Sequence, residues 1–286
     1  MIDLINKAFP DLAIHSLKQI GKGKACEVYL ANDEIVFKIP FNSDSTSCLS
    51  IEYQVLNALC GKVNNIPQPL YFGTLPDGKL ILGESLMPGI QFTSEIYDSL
   101  TELEQDYVFI VMGEFIRQIY YADKPHIEGI PINDPKKNIP IFEKRYTEAI
   151  KNVLNDAERR KIDEIYHKFL QALDSHVPLV LCHADMHFWN MQFDPQTRRI
   201  CGLLDFGEAC YADLMEDMEY YWPAQVAKIM RGHGNMLDEN AGIRHLFYCM
   251  NSLMDAANDE LANGVMTYVN YLKEMIYSKP FDTITP

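Results

Sequence analysis

Basic residues are scarce in this 286-residue chain: 25 Lys and Arg stand against 40 Asp and Glu, a formal charge of −15. With no local concentration of bases, that balance opposes binding to nucleic-acid phosphates or anionic membranes and draws in cationic small molecules. Pairing signals for cysteine are missing too. Cys26, Cys48, Cys60, Cys182, Cys201, Cys210 and Cys249 stand singly without CxxC spacing, so reduced thiols are expected in place of a disulfide or zinc framework. No apolar run approaches the roughly 18 residues of a transmembrane helix. The opening MIDLINKAFPDLAIHSLKQI lacks the positive n-region and unbroken apolar stretch of a signal peptide, which makes a cytoplasmic protein the expectation. Internal repeats and long low-complexity tracts are absent as well. What is present, 48% hydrophobic and 23% charged residues, suits a compact globular protein of one large domain or two lobes.

Glu27 to Leu30 and Ile35 to Pro40 read as strands joined by the polar turn Ala31 to Glu34, the start of an N-terminal sheet. A helix is expected from Ser45 to Cys48 onward, with Ile51, Val55, Leu56 and Leu59 as its apolar stripe and Gly61 as its stop. Short strands fit Leu70 to Phe72 and Leu80 to Gly83, and the lobe boundary is expected near Met87, Pro88 and Gly89, giving units 1–87 and 88–286. Beyond it the texture is helical in LEQDYVFIVMGEFIRQIYYA and from Ile141 to Leu173. Two apolar runs then lead into polar clusters, Leu179 to Cys182 before His183 and Ile200 to Leu204 before Asp205.

Those clusters hold the chemistry. Asp185, Asn190 and Asp205 come together if the two strands deliver their ends side by side. Phosphoryl transfer requires a carboxylate at the acceptor hydroxyl, the role suited to Asp185, and hard oxygen ligands for magnesium, the role suited to Asn190 and Asp205. Upstream, Gly21 and Gly23 allow close backbone approach to phosphates without forming a full GxGxxG. Lys38, ending an apolar strand, is placed to pair with phosphates, and Glu52 on the following helix to fix its ammonium. Glu84 is set aside for that task because it lies close to the expected linker. An alternative reading takes His183, Asp185, His187 and Asp205 as ligands of a hydrolytic metal site, which leaves Lys38, Glu52 and Asn190 unexplained. A catalytically silent nucleotide-binding regulator would normally have lost one of Lys38, Asp185 or Asp205.

In this order, IGKGKACEVYL, Lys38 in VFKIP, Glu52, HADMHFWN and LLDFGEA resemble the aminoglycoside phosphotransferases of the protein-kinase-like superfamily, and among them the 2''-O-phosphotransferases. The resemblance implies an α+β, bilobal fold with a small β-rich N-terminal lobe and a larger, mainly helical C-terminal lobe. It implies ATP or GTP as donor, Mg2+ as cofactor and a hydroxyl of an aminoglycoside antibiotic as acceptor. Asp185 would be the catalytic aspartate, Asn190 and Asp205 the metal ligands, and Lys38 with Glu52 the phosphate-binding pair. ILGESLMPG resembles the hinge, whose backbone at Glu84, Ser85 and Leu86 would meet the base. The chain departs from the family pattern at Ala184, where glycine is usual, and at Phe188 and Trp189, where proline and a small residue are common. Choline, a sugar, an amino alcohol or another hydroxyl metabolite is the alternative acceptor.

After Asp205 the acids continue through Glu208, Asp213, Glu216, Asp217 and Glu219 with no Lys or Arg from Ile200 to Ala227, a wall suited to a cationic acceptor. If that stretch is a regular helix, Asp213 and Asp217 share a face. These two and Trp222 are the expected acceptor contacts. The partners expected are a nucleoside triphosphate and a small cationic or hydroxyl acceptor, with neither nucleic acid nor membrane, and a monomer is slightly favoured.

Overall fold

The computed structural model describes residues 1–23, 25–173, 177–234 and 238–280, with the side chains of 43–45 and 148–149 also outside the description. Ser45 as a helix cap therefore falls outside the described side chains, as does Lys24 of the glycine-bearing segment. In chain order the N-terminal part runs α1 (Ile2–Ala8), β1 (Leu17–Lys22), β2 (Cys26–Ala31), β3 (Ile35–Pro40), α2 (Ser43–Leu59), β4 (Pro69–Thr74), β5 (Leu80–Ser85), β6 (Ile90–Gln91) and α3 (Ser94–Asp98). It continues through α4 (Glu102–Tyr121), α5 (Asn138–Arg145), α6 (Lys151–Val153), α7 (Asp156–Ala172), β7 (Leu179–Cys182), β8 (Met191–Asp194), β9 (Arg199–Leu203) and β10 (Cys210–Asp213). Three helices follow, α8 (Pro223–His233), α9 (Ala241–Leu261) and α10 (Thr267–Ile276). The α+β expectation is met: a β-rich N-terminal part precedes a larger helical part. Among the described residues, no helix is long and apolar enough to cross a membrane.

The chain packs as two compact units. The first comprises Met1–Glu104, Tyr121–Ile130 and His183–Ala209, and the second Gln105–Tyr120, Pro131–Cys182 and Cys210–Pro286. The centre of the first is an antiparallel five-stranded sheet in the order β1-β2-β3-β5-β4. β1, an extra strand beyond the sequence expectation, contains Gly21, and its register with β2 slips between Gln19 and Gly21. Strand β3 shows why the sheet matters. Its alternation buries Ile35, Phe37 and Ile39 in one core with Ile5, Ile14 and Ile81, which directs Val36 and Lys38 to the opposite face. Gly83 of β5 faces Phe37, and a Cβ there would stand 2.6 Å from the ring, so this crossing needs glycine.

Helix α2 buries Val55, Leu56 and Leu59 as its sequence stripe requires, and Gly61 follows in the left-handed region at φ +70. Glu52 lies on that same buried face, 2% exposed. The other sheet of this unit pairs β6 with β8 and β8 with β9.

In the second unit the stretch expected as helix from Ile141 to Leu173 is broken. A π-helical turn spans Tyr146–Ile150, and α7 restarts at Asp156 behind an Asn155 cap. The Asn155 side chain accepts from the Ala157 and Glu158 amides at 2.9 and 3.0 Å, while Glu158 reaches back to the Asn155 amide at 2.8 Å. That reciprocal cap defines a new helix start. β7 pairs with β10, and the post-β10 acids lie on a 3₁₀ turn, Leu214–Met218, in place of the α-helix expected. The physical reason is Asp213, which ends the strand and caps the turn by accepting from the Met215 amide at 3.2 Å.

Burial pushes Glu216 from 4.5 up to about 8, with Glu219, Asp213 and Asp217 adding to the rise and a hydrogen bond to Asn138 opposing it. A folded-state pKa above the unfolded one means that stability falls as pH rises from 4.5 towards 8. Glu216→Gln, which stays neutral and keeps an acceptor for the Asn133 amide, is expected to stabilise the protein by roughly 1 kcal/mol or more at pH 8 and progressively less on acidification. Thermal unfolding of both proteins across that window measures it; a difference that does not change with pH contradicts the assignment.

Candidate active site

Residues from three separate stretches of chain converge in the first unit. Lys38 Nζ lies 2.6 Å from Glu52 Oε1 and 3.1 Å from Glu84 Oε1. The expected Lys38–Glu52 pair is thus formed, and Glu84 joins it. The reason is register: β3 pairs with β5 so that Val36 faces Glu84 and Lys38 faces Leu82, and residues directly opposite share a face. Burial alone would lower the Lys38 pKa, but Glu52, Glu84 and Asp205 outweigh it and hold the ammonium charged. Burial raises both glutamates, against the pull of Lys38. Glu52 Oε1 also accepts from the Phe206 amide at 3.2 Å, tying the pair to the LLDFGEA segment.

Asn190 and Asp205 meet through a hairpin. Met191 pairs with Leu203 across β8 and β9, and the Leu204 amide donates to the Asn190 carbonyl at 2.8 Å. Asn190 stands immediately before Met191, and Asp205 immediately after Leu204. The sequence reading asked only that the ends of β7 and β9 lie side by side; the pairing that brings Asn190 to Asp205 is that of β8 with β9, so Asn190 enters just before one strand and Asp205 follows the other.

Asp185 is bound on both oxygens. His187 Nε2 is 3.2 Å from Oδ1, and Asn190 Nδ2 donates to Oδ2 at 2.8 Å and to the Asp185 carbonyl at 2.9 Å. Burial works to raise the Asp185 pKa, but His187 and the Asn190 amide prevail and hold it below the usual aspartate value. His183 is fully buried and spends its ring within the loop: Nε2 donates to the Leu204 carbonyl at 2.9 Å, and Nδ1 accepts from the Asp185 amide at 3.3 Å. Both nitrogens are engaged, which removes it from any ligand or phosphate-accepting role.

Two adjoining cavities share Lys22, Gly23, Val28, Lys38, Trp189, Asn190 and Asp205. The larger, about 750 Å³, is lined also by Glu52, Asp185, His187 and Glu208. The smaller, about 500 Å³, is lined also by Gly21, Val36, Glu84, Ser85, Leu86 and Met87. Gly21 and Gly23 thus edge the cavities. A Cβ at either would meet its nearest neighbour at 3.7 Å, an ordinary contact, so the fold itself does not demand glycine there. The Ser85 and Leu86 amides are already committed, to the Gln68 and Glu34 carbonyls at 2.9 and 2.8 Å. Met87, beyond the stretch singled out in the sequence, lines the same cavity.

Among the described residues, no group of three or more His, Cys, Asp and Glu side chains is arranged to hold a metal ion. The pair Asn190 and Asp205 still fits magnesium, which takes one or two protein oxygens and fills its shell with water and phosphate. With Nδ2 of Asn190 spent on Asp185, its remaining side-chain atom is the hard oxygen such an ion prefers.

The expected acceptor contacts all belong to the second unit. Asp213 is 1% exposed; its Oδ2 accepts from Arg244 Nε at 2.6 Å and from the Tyr248 hydroxyl at 3.1 Å. An amine would have to displace a guanidinium to reach it. Asp217 is buried on the 3₁₀ turn, and Trp222 is half-buried at the start of α8.

Comparison with known proteins gives a family model, "Phosphotransferase enzyme family", matching residues 16–243. Similar solved structures include the GDP and kanamycin complex of APH(2")-IIia, at 20% identity over 96% of each chain and a TM-score of 0.75. The streptomycin-ATP-APH(2")-IIa ternary complex matches at 19% identity, over 96% of this chain and 97% of that one, with a TM-score of 0.65. Spectinomycin phosphotransferase, APH(9)-Ia, with ADP and spectinomycin, matches at 17% identity over 98% and 94%, with a TM-score of 0.63. These likenesses concern the fold.

Ala184, at φ +63, occupies the left-handed region immediately before Asp185, where a Cβ is strained and glycine is not. Ala184→Gly is expected to leave stability unchanged or raise it by up to about 1 kcal/mol; a clear fall in the unfolding midpoint contradicts this.

Proposed function

Since the chain belongs to the phosphotransferase enzyme family, we propose that it moves the γ-phosphoryl group of ATP or GTP to a hydroxyl of an aminoglycoside, as a member of the 2''-O branch. The observation that carries the reading is Asp185, held ionised by His187 and Asn190 in one cavity with Lys38 and Asp205. The kanamycin, streptomycin and spectinomycin bound by the relatives support the choice of acceptor.

Lys38 holds the donor phosphates, with Glu52 fixing its ammonium. Asp185 orients the acceptor hydroxyl. Its lowered pKa makes it a weak base, so its larger contribution is alignment of the attacking oxygen, and the proton leaves late in the transfer. Asn190 and Asp205 would hold Mg2+, which supplies charge neutralisation to the phosphate oxygens when bound. Charge balance favours this: Glu52, Glu84, Asp185, Asp205 and Glu208 line the two cavities against the lysines Lys22 and Lys38, and a triphosphate adds further negative charge. The smaller cavity, bounded by β5 and Met87, receives the base.

Purified protein with Mg2+ and either ATP or GTP, offered aminoglycosides and small hydroxyl metabolites in parallel, tests the reading by mass. One aminoglycoside should gain a single phosphoryl group, and Asp185→Asn should lower that turnover by about a hundredfold or more. Transfer only to choline, a simple sugar or an amino alcohol would replace the acceptor; a loss of less than tenfold in Asp185→Asn would remove the role given to that residue.

A further inference from the structure

Phosphoryl transfer gives tasks to Asp185 and Asn190 and none to the largest side chain between them. Trp189 is 51% exposed, whereas tryptophan is on average heavily buried. Its backbone is nevertheless fixed on both sides. Phe188 packs against Phe92 and Tyr97, each at 5.0 Å between ring centroids. The Trp189 carbonyl accepts from Gln91 Nε2 at 3.0 Å, and Asn190 is anchored to Asp185. A rigid base therefore presents an indole that lines both cavities.

We propose that Trp189 is a specificity-determining residue whose indole is the platform for the ring carrying the acceptor hydroxyl, so that the acceptor is a cyclic polyol or amino sugar and not an open-chain amino alcohol. The inference rests on the phosphotransferase reading. Two observations select the occupant. Apart from the His187 imidazole, Trp189 is the one aromatic side chain lining the larger cavity among the described residues. A single flat face suits a ring stacked on it through its C–H groups, whereas a quaternary ammonium such as that of choline is held by a cage of several aromatic faces. The same cavity is also lined by Asp185, His187 and Glu208, polar groups that match the hydroxyl and amino substituents around the edge of a sugar ring. Stacking supplies contact area at low entropic cost without disturbing the hydrogen bonds that hold Asp185.

The test compares wild type, Trp189→Ala and Trp189→Phe, each as the full chain with Mg2+ and the nucleotide that turns over. The acceptors are an aminoglycoside, glucosamine, choline and ethanolamine. In wild type the ring compounds should have kcat/KM values about tenfold or more above the open-chain ones. Trp189→Ala should raise the ring-acceptor KM by about tenfold while the nucleotide KM stays within about twofold, and Trp189→Phe should recover most of the loss. Adding ring acceptor without nucleotide should change tryptophan emission in wild type and not in Trp189→Ala. A rise in nucleotide KM instead assigns the indole to the donor and overturns the proposal. So does an unchanged acceptor KM, or a preference for choline. If wild type phosphorylates none of the acceptors, the phosphotransferase reading falls and this inference with it; if ring acceptors turn over equally well without Trp189, only this inference falls.

Discussion

An ammonium taken out of water between two carboxylates is the interaction on which the first unit turns. Desolvating Lys38, Glu52 and Glu84 costs free energy that offsets much of their attraction, and hydrophobic replacement of buried ion pairs is often neutral or stabilising. The value of the cluster is positional. Lys38 comes from the sheet, Glu52 from α2, and Glu52 also accepts from the Phe206 amide, so one ion pair sets the sheet, the helix and the segment around Asp205 against one another. The apolar core behind β3 serves the same end, since burying Ile35, Phe37 and Ile39 leaves Lys38 no other face.

The loop around Asp185 follows a second logic, in which hydrogen bonds fix the geometry. His183 binds the Leu204 carbonyl and the Asp185 amide, Asn190 binds Asp185 twice, and the hairpin of β8 and β9 carries Asn190 and Asp205 at one end. Positive φ at both Ala184 and Asp205 marks where the chain turns sharply to present these side chains. A site built this way is preorganised, which suits a reaction whose catalysis is mainly positioning and charge.

Local signals were legible in the sequence, and long-range pairings were not. Alternation in β3, the stripe of α2 with Gly61 after it, and the identity of Glu52 as the partner of Lys38 all follow from spacing within one or two elements. Glu84 is set aside in the sequence because it lies close to the expected linker; only the β3–β5 register puts it on the face of Lys38. The hairpin that joins Asn190 to Asp205 was missed for the same reason, and so was the closure of Asp213 on Arg244. The break before α7 is different: Asn155 followed by Glu158 is a visible cap signature, outweighed by the helical texture on either side.

The most direct measurement is a structure of the protein with Mg2+ and a non-hydrolysable analogue of ATP or GTP. The account predicts the donor phosphates against Lys38 Nζ, with Glu52 retained as its partner, and the cation on the oxygens of Asn190 and Asp205. Phosphates bound elsewhere, with Lys38 still closed between Glu52 and Glu84, would contradict it.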